Sequence, residues 1–372
     1  MARPGKDRNG RRRVLRWAAG WAAAALLAAL AAPAFPLLAE RTLLASAALA
    51  LPDAGLGALQ RRFAPSAQPP VPQASAAQPP AAEETGGSLP AAPEVSSAGQ
   101  EQQVPTEYRG TILRETMTGS SGGTFISLGS GWLRNYTDFS AEEIGSALND
   151  TPLISIPAKG PQVLIMHTHA TESYETHTGG VYDTRSAWRT RDDSQNMCAV
   201  GDVLAGELEA AGIGVIHDKT QHDYPSYNGS YVRSRATVSA ILARYPTIRV
   251  ILDLHRDAIQ RDESTIVAPV ATIDGQRCAQ VMVNVACGSG GSDLPNWRQN
   301  LRFGAEVVRR MESDWPTLTR PLFFCSRRYN QDLSPGALLI EVGSSGNTLE
   351  EACRSARMAG QSLAEVLGEM ER

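Results

Sequence analysis

Four apolar runs stand out in the second half of the chain. Val163-Leu164-Ile165-Met166, Ile213–Ile216, Ile248–Leu254 and Leu338–Val342 are short and bounded by polar or turn-forming residues. Runs of this length suit strands buried on both faces. Between them the apolar residues recur at helical spacing. Val200, Val203, Leu204 and Leu208 mark one helix, ended by Gly212. Val238, Ile241 and Leu242 mark another, stopped before Pro246, and Phe303, Val307, Val308 and Met311 a third. Ser140 with Glu143, and Thr348 with Glu351, have the spacing of helix-opening capping boxes. Ser264–Thr272 and Arg277–Ala286 alternate around Asp274-Gly275, a hairpin signal. Buried strands alternating with helices predict an α/β class: a mixed, mostly parallel sheet with helices on both faces, the hairpin supplying the antiparallel part.

The first third reads differently. Residues 1–13 are basic, with Arg3, Lys6, Arg8, Arg11, Arg12 and Arg13 against Asp7, and Trp17–Ala39 carries no charge. About 20 apolar residues span a bilayer as a helix, and basic flanks stay cytoplasmic. The expectation is a transmembrane anchor over 14–39, with the rest of the chain outside. A cleaved signal peptide has the same layout, with Ala32-Pro33-Ala34 as a small-residue site. Residues 40–105 read as a stalk and a disordered Pro/Ala-rich linker, because nine of the 23 prolines lie between Pro65 and Pro105. Such composition buries too little apolar surface to offset ordering entropy. Residues 106–160 read as a short irregular lead-in, and 161–372 as the main folded domain.

Charge is mild, with 35 basic against 39 acidic residues, which argues against nucleic acid as a partner. The five cysteines show no C-x-x-C spacing and read as independent buried thiols, though Cys278 and Cys287 flank one short run.

Chemistry concentrates at strand ends, where open α/β sheets form their sites. The first run leads into His167-Thr168-His169-Ala170-Thr171-Glu172, the third through Asp253 to His255-Arg256-Asp257, and the last reaches Glu341. Two imidazoles and a carboxylate with one open position suit a catalytic zinc, and a further carboxylate suits a proton acceptor. His217, Asp218, His222 and Asp223 read as loop residues ahead of a helix rather than a second metal site. Tyr174, Tyr182, Trp188, Tyr224 and Tyr227 fall in the loops, where aromatic residues are common.

Three segments carry a longer resemblance: Val163–Tyr174 (VLIMHTHATESY), Val250–Ala258 (VILDLHRDA) and Asn330–Glu351 (NQDLSPGALLIEVGSSGNTLEE). They resemble the stage II sporulation protein P family, together with His217–Thr220 and Pro225–Asn228. That resemblance implies an amidase-3-like fold and a membrane-anchored peptidoglycan hydrolase of sporulation. Its activity would be that of a zinc-dependent N-acetylmuramoyl-L-alanine amidase, with cross-link endopeptidase activity as a further implied reaction. Carried onto this chain, it implies His169 and His255 as zinc ligands and Glu341 as the catalytic carboxylate. For the third ligand Glu172 is preferred and His167 competes; otherwise His167 is a supporting or substrate group. Arg256 would hold a substrate carboxylate or pair with Asp257 or Asp253. Asn347 would follow the catalytic Glu as a site residue or serve as a turn residue. The implied partners are peptidoglycan, the membrane, the sporulation lytic transglycosylase (stage II sporulation protein D) and a membrane tether. The competing readings are a zinc carboxypeptidase on stem peptides and a non-catalytic wall-binding scaffold.

Overall fold

The computed structural model describes residues 104–176, 179–289 and 294–371. The expected basic tail, anchor, stalk and all but the end of the linker lie outside the described residues. Among the described residues no helix is long and apolar enough to cross a membrane.

In chain order the strands are β1 (Arg109–Glu115), β2 (Phe125–Ser127), β3 (Trp132–Tyr136), β4 (Val163–Met166), β5 (Val181–Asp183), β6 (Val215–His217), β7 (Val250–Asp257), β8 (Gln260–Asp262), β9 (Thr265–Ile273), β10 (Gln276–Ala279), β11 (Val281–Ala286), β12 (Leu322–Cys325) and β13 (Gly336–Ser344). The helices are α1 (Ala141–Asp150), α2 (Met197–Ala210), α3 (Ser230–Arg244), α4 (Trp297–Asp314) and α5 (Leu349–Met370). Both predicted capping boxes form: Ser140 with Glu143 opens α1, and Thr348 with Glu351 opens α5. Each satisfies amides that the helix itself leaves unpaired.

The main sheet has the order β2-β3-β12-β11-β13-β7-β4-β6. It is parallel except at β2–β3 and β11–β13, as a mixed, mostly parallel α/β sheet requires. Alternation along the strands divides the core. Val163 and Ile165 of β4, with Leu252 and Ile340, face a large cluster shared with α2, α4 and α5. Leu164 and Met166, with Ile251, face a smaller cluster against Val238 of α3. Helices therefore cover both faces, but α3 covers its own only from β6 to the start of β13.

The hairpin forms, with Asp274 and Gly275 both at positive φ. Only the last part of its second arm, β11, supplies an antiparallel pairing in the main sheet. That arm breaks after Ala279, and the chain changes sheets at Gln280. Gln280 is fully buried, and its amide bonds Met117 N, Met117 O and Thr317 O. These bonds hold a corner between β10, in a second sheet of order β10-β9-β1-β5, and β11 in the main one. The antiparallel neighbour in the main sheet is β11 itself, beside β13.

The 106–160 stretch is more regular than expected. β1 pairs in parallel with β9, and β3 in parallel with β12. Both pairings join residues far apart in the chain, so local periodicity in short strands does not reveal them. None of the five cysteines is in a disulfide.

Candidate active site

The site lies on the α3 face of the main sheet. β7 and β13 run parallel with Glu341 directly beside His255 and Leu339 beside Asp253. Side chains two apart on a strand share a face, so Asp253, His255 and Glu341 point the same way, just past the cover of α3. β4 ends at Met166, and a turn brings His169 and Glu172 over the end of β7. The rings of His169 and His255 stand 5.2 Å apart and nearly perpendicular. His255 Nδ1 lies 3.6 Å from Glu172 Oε2. Asp253, His255, His169 and Glu172 are buried, and Glu341 nearly so.

His167 does not join this group. It keeps the parity of Ile165, so it points through the sheet toward α2. Its Nδ1 bonds Leu254 O at 3.1 Å and its Nε2 meets His217 Nε2 at 2.8 Å. The expectation that His167 and His169 share a face assumed a continuing strand; the turn at His167 separates them.

Asp253 is the support that sequence reading passed over. Its carboxylate accepts from Thr168 N at 2.8 Å and Thr168 Oγ1 at 2.7 Å, and it lies 2.9 Å from His255 Nε2. An imidazole with one nitrogen on a carboxylate and the other facing the site is the usual arrangement of a metal-ligating histidine. Its position two residues before His255 was the available signal. Arg189 was likewise missed: it bridges Glu172 at 3.4 Å and Asp223 at 2.6 Å.

Arg256 departs from both expected roles. It is buried, donating from Nε to Ser173 O and from Nη2 to Trp188 O, each at 2.9 Å. Its strand direction is opposite to that of His255, so it braces the loop behind Glu172 instead of meeting a substrate. Asn347 is buried in the turn after β13. It accepts from Ser344 N and donates to Pro269 O and to Glu351, so it is a turn residue. His222 bonds His167 O and Thr237, and Asp223 holds Thr171, so these residues buttress the His167–Glu172 turn. Tyr174 and Tyr182 are buried, whereas Tyr224 and Tyr227 are exposed. Tyr227 stacks on His169 with ring centroids 4.4 Å apart.

Electrostatics follow burial and neighbours. Burial, with His255 nearby, pulls the His169 imidazole down to about 4, leaving it neutral. Burial opposes ionisation of Glu172, but His255 and Arg256 outweigh it and hold the carboxylate down to about 2. Glu341 is pushed up to about 8, chiefly by burial, with His255 opposing and Asp257 adding to it. Such a displaced carboxyl in a cleft is a mark of functional sites. His169 Nδ1, Glu341 Oε2 and, despite its 2.9 Å approach to the Asp253 carboxylate, His255 Nε2 are buried with no hydrogen bond of good geometry among the described residues.

Among the described residues, no three His, Cys, Asp or Glu side chains are gathered closely enough to enclose a metal as they stand. The donor types nevertheless fit one: a neutral imidazole with an orphaned nitrogen, an ionised carboxylate and a second imidazole, His255, which Asp253 and Glu172 hold protonated against the effect of burial and which gives up that proton to bind.

The family comparison is specific. The stage II sporulation protein P (SpoIIP) family matches residues 79–368. Stage II sporulation protein P of Bacillus subtilis (strain 168) is 33% identical over 221 residues, covering 56% of this chain and 52% of the relative. The chain thus spans about half the length of that curated relative. Among solved structures, the N-acetylmuramoyl-L-alanine amidase AmiC2 of Nostoc punctiforme aligns at a TM-score of 0.34 and 11% identity, over 57% of this chain and 97% of that one. The CwlD amidase from Clostridioides difficile, in complex with the GerS lipoprotein, aligns at 0.31 and 12%, over 55% and 94%. With the family matched over most of its length, the chain belongs to the stage II sporulation protein P family.

Proposed function

We propose that this chain is a peptidoglycan hydrolase of sporulation that cleaves the amide between N-acetylmuramic acid and L-alanine, with zinc held by His169, Glu172 and His255. The observation that carries this reading is the gathering of buried, unpartnered atoms: His255 Nε2 and Glu341 Oε2 on adjacent strands, and His169 Nδ1 on the turn above them. When bound, zinc would polarise the scissile carbonyl and lower the pKa of a nearby water. Glu341 accepts the proton of the attacking water and delivers it to the departing amine as the C–N bond breaks. Its raised affinity for protons suits this double role. Asp253 and Thr168 hold the His255 ring, and Arg189 and Arg256 hold Glu172.

The proposal extends to anchoring through residues 14–39, with the site outside the cytoplasm. The linker then acts as a tether, and the sporulation lytic transglycosylase acts on the same wall. Cleavage of peptide cross-links from the same site is a further part of the reading.

The test is made on the full chain: bound metal is measured, and products from purified sacculi are separated. Glu341→Gln should retain zinc and lose amide cleavage by 10²-fold or more, the usual share of a general base (~10²–10⁴). Glu172→Ala should lose zinc and His167→Ala should keep it. Normal release of stem peptides by Glu341→Gln refutes the role of Glu341. Shortened peptides still attached to glycan would mark a carboxypeptidase instead.

A further inference from the structure

A groove of about 700 Å³ runs from Glu341 along the part of the α3 face that α3 leaves uncovered. Its floor spans two adjacent register rows on that face. Glu341 pairs with Met282, Asn284 with Phe323, and Phe323 with Arg134, all of one parity and so on one face. Its other wall is Glu115–Thr118, at and just past the end of β1. The groove is therefore built largely by the 106–160 stretch and the edge strands, away from the His169–His255 cluster.

Its lining holds the acids Glu115, Asp257 and Glu341 and the arginines Arg134, Arg320 and Arg327, but they are unequally engaged, and Glu341 stands buried at the groove's inner end. Glu115 is engaged outward by Arg261 at 2.6 Å, and Asp257 is engaged by Arg320 at 2.9 Å. Two lining guanidiniums remain. Arg134 is flanked by the rings of Phe125 at 5.2 Å and Tyr136 at 4.7 Å, and no carboxylate pairs with it among the described residues. Arg327 follows β12, which runs antiparallel to β13, so it leaves the sheet beyond the level of Ala337 and away from Glu341; it lines the groove and is exposed, also without a carboxylate among the described residues. Aromatic flanks on both sides pre-order Arg134, which lowers the entropy cost of engaging an anion. β3 lies three strands from β13, a lateral offset of ~14 Å at the usual strand spacing. About four residues of extended peptide span that distance.

We propose that this groove is the subsite for the peptide half of the substrate, and that Arg134 and Arg327 take the carboxylates of a short acidic peptide running away from Glu341. The inference rests on the amide-hydrolase reading for the direction of the peptide, but its own claim is binding.

The experiment uses the full chain carrying Glu341→Gln, so that no turnover intervenes. The probes are fluorescein-labelled L-Ala-γ-D-Glu-L-Lys-D-Ala and the same peptide with both carboxylates amidated, read by anisotropy. The acidic peptide should bind at least tenfold more tightly than the amidated one, as expected for charge-assisted hydrogen bonds. Arg134→Gln and Arg327→Gln should each erode that preference, and the double variant should abolish it. Arg134→Lys should retain part of it, and thermal melts check that each variant is folded. Equal binding of the two peptides by the parent, or an undiminished preference in the double variant, overturns the proposal. So does weakened binding of a chitooligosaccharide in Arg134→Gln with peptide binding unchanged, because the groove would then be a glycan site. If the wild-type chain releases no stem peptides from sacculi while the arginine-dependent preference holds, the hydrolase reading fails and the groove stands. If it releases them and the preference is absent, only the groove fails.

Discussion

Gly201 sits in the middle of α2, where alanine would ordinarily stabilise a helix by ~1 kcal/mol. Here a Cβ would stand 2.5 Å from His217 Nε2 and 2.9 Å from His167 Nε2. The two imidazoles meet at 2.8 Å at that point. His167 is fully buried and tied to Leu254 O, so it has no room to retreat. His217 must move, which breaks the contact between the rings and pulls on its partner Asp202 at 3.0 Å. Overpacking costs ~1–3 kcal/mol, and leaving buried His167 Nε2 unpaired costs ~1–3 kcal/mol more. Set against the helix gain, Gly201→Ala should lose about 3 kcal/mol, or on the order of 6–12 °C in Tm for a domain of this size. Urea and thermal melts of parent, Gly201→Ala, His217→Ala and the double variant close a cycle. The double variant should be far less destabilised than the sum of the singles, since removing the His217 ring removes the nearer clash. A Gly201→Ala protein as stable as the parent would refute the reasoning.

Three further outcomes follow from the same geometry. Asp253→Asn should keep both bonds to Thr168 within reach yet remove the charge behind His255. Zinc affinity, measured by competition with a chelator, should drop 10- to 100-fold, the usual effect of losing such a support. Burial, with His217 beside it, holds His167 down to about 3 against an ordinary 6.5. The unfolded chain therefore takes up this proton first as pH falls, and stability contributed here is lost between 6.5 and 3. A His167→Gln variant should show a shallower fall in Tm across that window than the parent. Glu172→Gln should weaken zinc binding less than Glu172→Ala, because an amide oxygen remains to face His255; equal loss in both would place the requirement on the charge.

Much of the fold was legible because its causes are local. Val163–Met166 is apolar on both faces, and β4 has the bounds the pattern predicts. Ser140–Glu143 and Thr348–Glu351 cap their helices through contacts three residues apart. Asp274-Gly275 turns because those two positions tolerate positive φ. The strand-end rule likewise located His169, His255 and Glu341 on neighbouring elements. Errors arose where a local pattern met a distant partner. The second hairpin arm reads as one strand, yet Gln280 finds Met117 and Thr317 and breaks it between two sheets. Arg256 reads either as a substrate group or as the partner of Asp257 or Asp253, yet Ser173 and Trp188 offer carbonyls that take its donors.

The chain alone determined its class, the starts of α1 and α5 and the residue types that can hold a metal and move a proton, since these depend on periodicity, capping and donor identity within a few residues. Tertiary structure decided which histidine faces the site, because a turn after Met166 sends His167 toward α2 and His169 toward His255. It also decided the partnership of Asp253 with His255 and Thr168. Last, it brought the 106–160 stretch across more than a hundred residues of chain to wall the groove beside Glu341. Pairings of that separation depend on packing and on buried hydrogen bonds, which no window along the sequence contains.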